Sequence, residues 1–121
     1  MSDDKLRIEL LESKIENIKV EGNKMTLQFK SLPVVLIKDE MGIDYDDQGH
    51  TQGKIEILNP EVTGKPSKGA VEDGYIQQGE ALYEKMPLNH TYQNPCLIFL
   101  VQDNGNNIIQ GNEIKIVVER K

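Results

Sequence analysis

Ten residues from Met41 to His50, MGIDYDDQGH, hold three aspartates, a tyrosine and one of the two histidines of the chain. Carboxylates at this density are what a hard cation requires, because calcium or magnesium is held by several oxygen ligands around which the backbone curls. Asp44, Asp46 and Asp47 are accordingly the candidate metal ligands. The competing expectation is a solvated loop whose negative charges keep a strand edge from pairing with other chains, and it is preferred.

The pattern of Asp44, Asp46 and Gln48 with Gly49 resembles the first half of an EF-hand loop, but the position where a bidentate Glu should stand is Ile55. The alternation in KIEIL also denies the helix that should follow, so no calcium-binding fold is carried over. In GKPSKGAV the second glycine, Gly69, is followed by Ala70 and Val71 rather than by Lys and Ser or Thr, and no strand leads into Gly64, which removes the phosphate-cradling reading. Asn89 to Thr91 matches a glycosylation acceptor without a secretory leader to give it meaning. A nucleophile needs a base within hydrogen-bond reach, and Cys96 with His90 is the pair to consider. Cys96 opens the most apolar run in the chain, however, and fits a small core residue better than a nucleophile. No catalytic residue and no cofactor is assigned.

Tyrosine offers a flat apolar face with a polar tip, suited to stacking on sugars or anchoring a protein partner. Three of the four tyrosines, Tyr75, Tyr83 and Tyr92, fall between Gly74 and Pro95 in a stretch also rich in amides, and these are the partner-binding candidates. The bland alternative has them capping a core with their hydroxyls in water.

A formal net charge of −6 over 121 residues disfavours partners that need clustered Lys and Arg, so nucleic acid and anionic membrane surfaces are not expected. No apolar run reaches bilayer-spanning length, the first ten residues lack a secretory pattern, and the single cysteine leaves no internal disulfide. A cytoplasmic protein is the expectation.

The elements that must position these residues are strands. Met25, Leu27 and Phe29 alternate with Thr26, Gln28 and Lys30; Ile55 with Ile57 and Ile114 with Ile116 and Val118 repeat the period of two. LPVVLIK and CLIFLVQ read as core strands, with Phe29 and Phe99 facing inward. EGNK and DNGNN supply hairpin turns. Residues 6–18 fit a helical face as well as alternation, with strand preferred, and NNIIQ before Gly111 reads as a very short strand or a bulged lead-in. Asp39 to Gly53 and Asn59 to Gly74 are expected to be two long loops. The fold class is therefore all-β: one domain over residues 1–121, an antiparallel β-sandwich or small β-barrel of about six to eight strands. The expected function is a non-enzymatic binding or protein-interaction module, bacterial, with a protein partner or homo-oligomer. The alternative is a small enzyme or cation-dependent binder using the carboxylates of the acidic loop 39–50.

Overall fold

The structure is a computed structural model that describes residues 5–39 and 43–119. Those residues form eleven strands and no α-helix: β1 (Leu6–Glu9), β2 (Lys14–Glu21), β3 (Lys24–Ile37), β4 (Tyr45–Leu58), β5 (Glu61–Thr63), β6 (Gly69–Ala70), β7 (Asp73–Gln78), β8 (Ala81–Tyr83), β9 (Lys85–Pro87), β10 (Thr91–Gln102) and β11 (Gly105–Glu119). The ambiguous N-terminal stretch is thus strand. All belong to one antiparallel sheet in the order β6-β2-β3-β4-β11-β10-β7-β8. β9 follows β8 after Glu84 alone and pairs with β1, which in turn pairs with the second half of β3.

Inward residues form rows across neighbouring strands, because directly opposed residues share a face. Leu27, Ile55 and Ile116 make one such row; Met25, Ile57, Ile114 and Tyr92 make the next. Ile76, Ile98 and Ile109 form a third. These and the inward residues of β1 and β9 are buried in a single cluster. The strand count exceeds the expected six to eight because extended stretches are interrupted by short breaks and because β5 and β6 form in a segment expected to be loop. β1 and β2 are parted by Leu10–Ser13, where the buried Ser13 hydroxyl donates to the Leu10 carbonyl at 2.7 Å, and β8 and β9 by Glu84.

Both anticipated hairpins are present: β2–β3 turns through Gly22 (φ +60°) and Asn23, and β10–β11 through Asp103 and Asn104. The two anticipated long loops are not loops. Most of Asp39 to Gly53 is the first half of β4, which pairs with the second half of β3. It escaped a pattern reading because Tyr45 to His50 are exposed on both faces, so no apolar alternation marks them. Within Asn59 to Gly74 lie β5, paired with β11, and β6, paired with β2; β5 runs directly into Gly64, where the pattern gives no strand because Glu61 to Thr63 are all exposed.

That second segment is tied down by two buried amides. Asn107, 1% exposed, and Gln102 lie at the β10–β11 hairpin end of the core. The Asn107 side-chain carbonyl accepts the Lys65 N–H at 2.8 Å, while Gln102 accepts the Ser67 N–H at 3.1 Å and donates to the Ser67 carbonyl at 2.7 Å. Asn107 also donates to Gln102 at 3.0 Å. Main-chain groups that cross the end of a core must find partners, and these side chains supply them.

β11 runs unbroken through Gly111 and Asn112; the irregularity sits in its partner, where the β10 register shifts between Gln93 and Cys96. Glycine is required at 111 because a Cβ there would collide with Ile57 Cγ2 and the Leu58 carbonyl.

Phe99 corrects the expected orientation. In β10 the inward residues are Cys96, Ile98 and Leu100, while Phe99 lies half-buried on the opposite face. A continuous apolar run carries no information on which set points inward, and Gly74 with Asn107, which flank Leu100 on β7 and β11, sets the answer only in three dimensions. Phe29 is buried as expected. In urea denaturation Phe29→Ala should cost about 3–5 kcal/mol and Phe99→Ala about 1–2 kcal/mol; equal costs would mean that the two faces of β10 have been exchanged.

Candidate functional site

Side chains on the outer face of the sheet form a surface of their own. Leu82, Gln77, Leu97, Gln110 and Glu61 are directly opposed across β8, β7, β10, β11 and β5. The adjoining row is Tyr75, Phe99, Ile108 and Thr63. The Tyr75 and Phe99 rings stack with centroids 5.0 Å apart and planes at 26°. Leu82 is 50% exposed and Tyr75, Leu97, Phe99 and Ile108 are half-buried, so the outer face carries an apolar strip beside its polar groups.

At one end of the strip is a cleft of about 280 Å³, lined by Asn59, Glu61, Gln77, Asn94, Gln110 and Asn112, with Pro95 and Leu97 also on its wall. The β10 register shift builds it, since an irregularity of this kind re-aims the side chains it contains. Two bonds hold the shift in place: Gly79 N–H donates to the Pro95 carbonyl at 2.8 Å, and the Gln78 side chain accepts the Gln93 N–H at 2.7 Å. Asn59 enters from the end of β4 in the left-handed region (φ +51°), with its N–H on the Asn23 carbonyl at 2.6 Å. Among the described residues the side-chain amides of Asn59, Asn94, Gln110 and Asn112 have no hydrogen-bond partner.

Cys96 lies behind this wall, 6% exposed, with its thiol toward the Gly111 carbonyl at 3.4 Å and the Tyr92 carbonyl at 3.7 Å. Burial pushes the thiol above its usual range, the nearby Glu113 charge adds to the effect, and the Ile114 N–H opposes it. His90 rests edge-on against Tyr92, with ring centroids 4.7 Å apart, and forms no hydrogen bond to Cys96. The sequence pairing of these two is not realised as a nucleophile and its base. A serine–histidine contact that the sequence did not suggest joins Ser31 Oγ to His50 Nδ1 at 2.6 Å, on an exposed surface and with no carboxylate bonded to the ring among the described residues.

Of the three tyrosines, only Tyr75 joins the outer strip. Tyr92 is 1% exposed and is corrected from partner candidate to core residue. Its ring extends the row of Ile114, and its position in a polar connection gave no sign of this. Tyr83 packs against Tyr92 at 5.3 Å. The Tyr92 hydroxyl is buried without a partner, and burial, then the neighbouring Tyr83, hold it protonated well beyond the ordinary phenol range.

The aspartates are dispersed in local contacts. Asp46 meets Lys38 at 3.2 Å and Asp47 accepts the Gly49 N–H at 2.8 Å. Asp39 accepts the N–H groups of Ile43 and Asp44. Residues 40–42 of the acidic loop lie outside the described residues. Among those described, no three of His, Cys, Asp and Glu stand together as a metal would need.

No protein-family model, no curated protein and no solved structure matches this chain. The cleft amides come from four separate segments, Gln110 and Asn112 sharing β11, so no local motif announces the set; the abundance of amides around Gln77 is the one available signal.

Two outcomes follow from the burial pattern. Tyr92→Phe should leave stability unchanged or raise it by about 1 kcal/mol, since it deletes an unsatisfied buried hydroxyl while keeping the ring; thermal denaturation checks this. Alkylation of Cys96 by iodoacetamide should be much slower than that of an exposed cysteine at pH 8, and should still be rising at pH values where the exposed thiol has levelled off, because the thiolate is the reactive form.

Proposed function

We propose that the chain is a non-catalytic binding module whose working surface is the outer face of β8, β7, β10, β11 and β5. The stacked Tyr75–Phe99 pair carries the reading, because it sets aromatic surface outside the core, in line with apolar neighbours and next to a polar cleft. Apolar surface rimmed by polar groups is the general form of a recognition site. The side chains stand on paired strands rather than on a mobile loop, so little ordering entropy is lost when a ligand docks.

Leu82→Ser and Tyr75→Ser remove apolar surface from this face, whereas Val20→Ser removes it from the exposed side of β2. Immobilised wild-type protein and the three variants are compared for what they retain from a native extract, with bound proteins identified by mass spectrometry and bound glycans by sugar analysis. Retention should fall with the first two variants and persist with Val20→Ser and in EDTA. Equal retention by all variants overturns the assignment of the face, and loss in EDTA alone favours the cation-dependent alternative.

A further inference from the structure

We infer that the amide-lined cleft is a binding site for a neutral saccharide, a single ring or the end of a chain that continues along the apolar strip. The inference rests on the outer face being a binding surface and adds the chemical class of the ligand. Ligand pockets in general are walled mainly by apolar side chains with few polar groups. Here the proportions are reversed: five residues that carry carboxamides and one that carries a carboxylate line about 280 Å³.

A carboxamide presents two N–H donors and a carbonyl acceptor on one planar group, and a hydroxyl is likewise both donor and acceptor. Several amides facing one space therefore match a ligand bearing several hydroxyls, whichever way each O–H turns. Four of the five, Asn59, Asn94, Gln110 and Asn112, have no protein partner among the described residues, so their donors and acceptors remain available. The fifth, Gln77, donates to the Gly79 carbonyl at 3.0 Å, which holds it in place.

Charge narrows the class further. No lysine or arginine lines the cleft and Glu61 is its one ionisable carboxylate, so a phosphate or uronate would meet repulsion without a counter-charge. A hard cation would find a single carboxylate where such ions take several oxygen ligands. Glu61 can instead accept hydrogen bonds from a neutral polyol, which are stronger to an ionised acceptor. A sugar ring also has an apolar side, the face bearing its axial C–H groups, and Leu97 and Pro95 supply the matching wall. Along the same face of β10, Phe99 stacked on Tyr75 offers aromatic surface to a following residue of the chain.

The test is an NMR titration of the labelled full chain with D-glucose, D-galactose, D-mannose, N-acetyl-D-glucosamine, cellobiose, maltose and chitobiose, each to about 50 mM, with D-glucuronate as the charged control. At least one neutral sugar should shift the side-chain amide signals of Asn94, Gln110 and Asn112 saturably, leave that of Asn17 on β2 in place, and slow alkylation of Cys96 behind the cleft. Asn112→Ala, an exposed substitution, should weaken that binding by about tenfold with the rest of the spectrum unchanged. The inference is overturned if no sugar on the panel shifts these amides saturably, if glucuronate does so as well as the neutral sugars, or if Asn112→Ala binds as the wild type does. Should the sugars fail while Leu82→Ser and Tyr75→Ser still lose a retained protein, the binding face stands and its ligand is a protein. A sugar that binds this cleft while those variants retain everything upholds the saccharide site and removes the apolar strip from the function.

Discussion

A sheet without covering helices must supply both walls of its own core, and the rest of this structure follows from that constraint. Inward residues from β1, β2, β3, β4, β7, β9, β10 and β11 meet in one cluster although they belong to one sheet. Such a sheet has to bend, and its pairing is interrupted at several places. β1 gives way to β2 at the buried Ser13, β3 shifts register against β4 between Phe29 and Leu32 and again between Pro33 and Val35, and β10 shifts against β11 between Gln93 and Cys96. Close approach is part of the same requirement. A Cβ at Gly74 would lie 2.7 Å from the Phe99 carbonyl oxygen and 2.9 Å from Leu10 Cβ, so only glycine lets β7 come this near to its neighbours.

Amide side chains serve two opposite purposes in this fold, and the difference is set by burial. Asn107 and Gln102 are buried, and their hydrogen-bonding capacity is taken up by the main chain of Lys65 and Ser67, by each other, and by Asn104. They hold the segment between β4 and β7 over the end of the core, at a cost of desolvation that their bonds offset. Around the β10 register shift the side-chain amides of Asn59, Asn94, Gln110 and Asn112 stand exposed and without a protein partner among the described residues, while those of Gln77 and Gln78 are bonded. The register shift in β10 that accompanies closing the core also places Asn94 and Pro95 on the wall of the cleft, so the cleft is a by-product of closing the core.

The acidic hairpin is best understood as an edge. β11 pairs with β4 only as far as Gln52, so among the described residues the outer edge of Tyr45 to Thr51 has no strand partner. Asp46 and Asp47 lie on this edge and Lys85 sits over the Tyr45 ring at 4.6 Å. Charge along an unpaired edge discourages the addition of another strand. The Lys38–Asp46 contact is half in solvent on both sides and contributes about 0–1 kcal/mol at most. Among the described residues, Asp39, Asp46 and Asp47 each make a separate local contact.

Period-two alternation in Met25 to Phe29, Ile55 to Ile57 and Ile114 to Val118, together with the Gly and Asn turns at Gly22 and Gly105, was enough to determine an antiparallel all-β chain and the inward face of those strands, because burial on one side of a pleat writes itself directly into the residue order. Where a segment is exposed on both faces, as Tyr45 to His50 is, or apolar on both, as Cys96 to Val101 is, that record is blank. Hence the pattern predicts a loop for the first half of β4 and an inward Phe99, where the structure has a strand and an outward ring. The breaks that raise the strand count, the burial of Tyr92 and the amide clamp on Lys65 and Ser67 depend on contacts between residues distant in the chain. The cleft is the clearest case: Asn59, Gln77, Asn94, Gln110 and Asn112 share no spacing that could mark them, and only the pairing of β7, β10 and β11, with β5 added at the edge, brings their amides to one place.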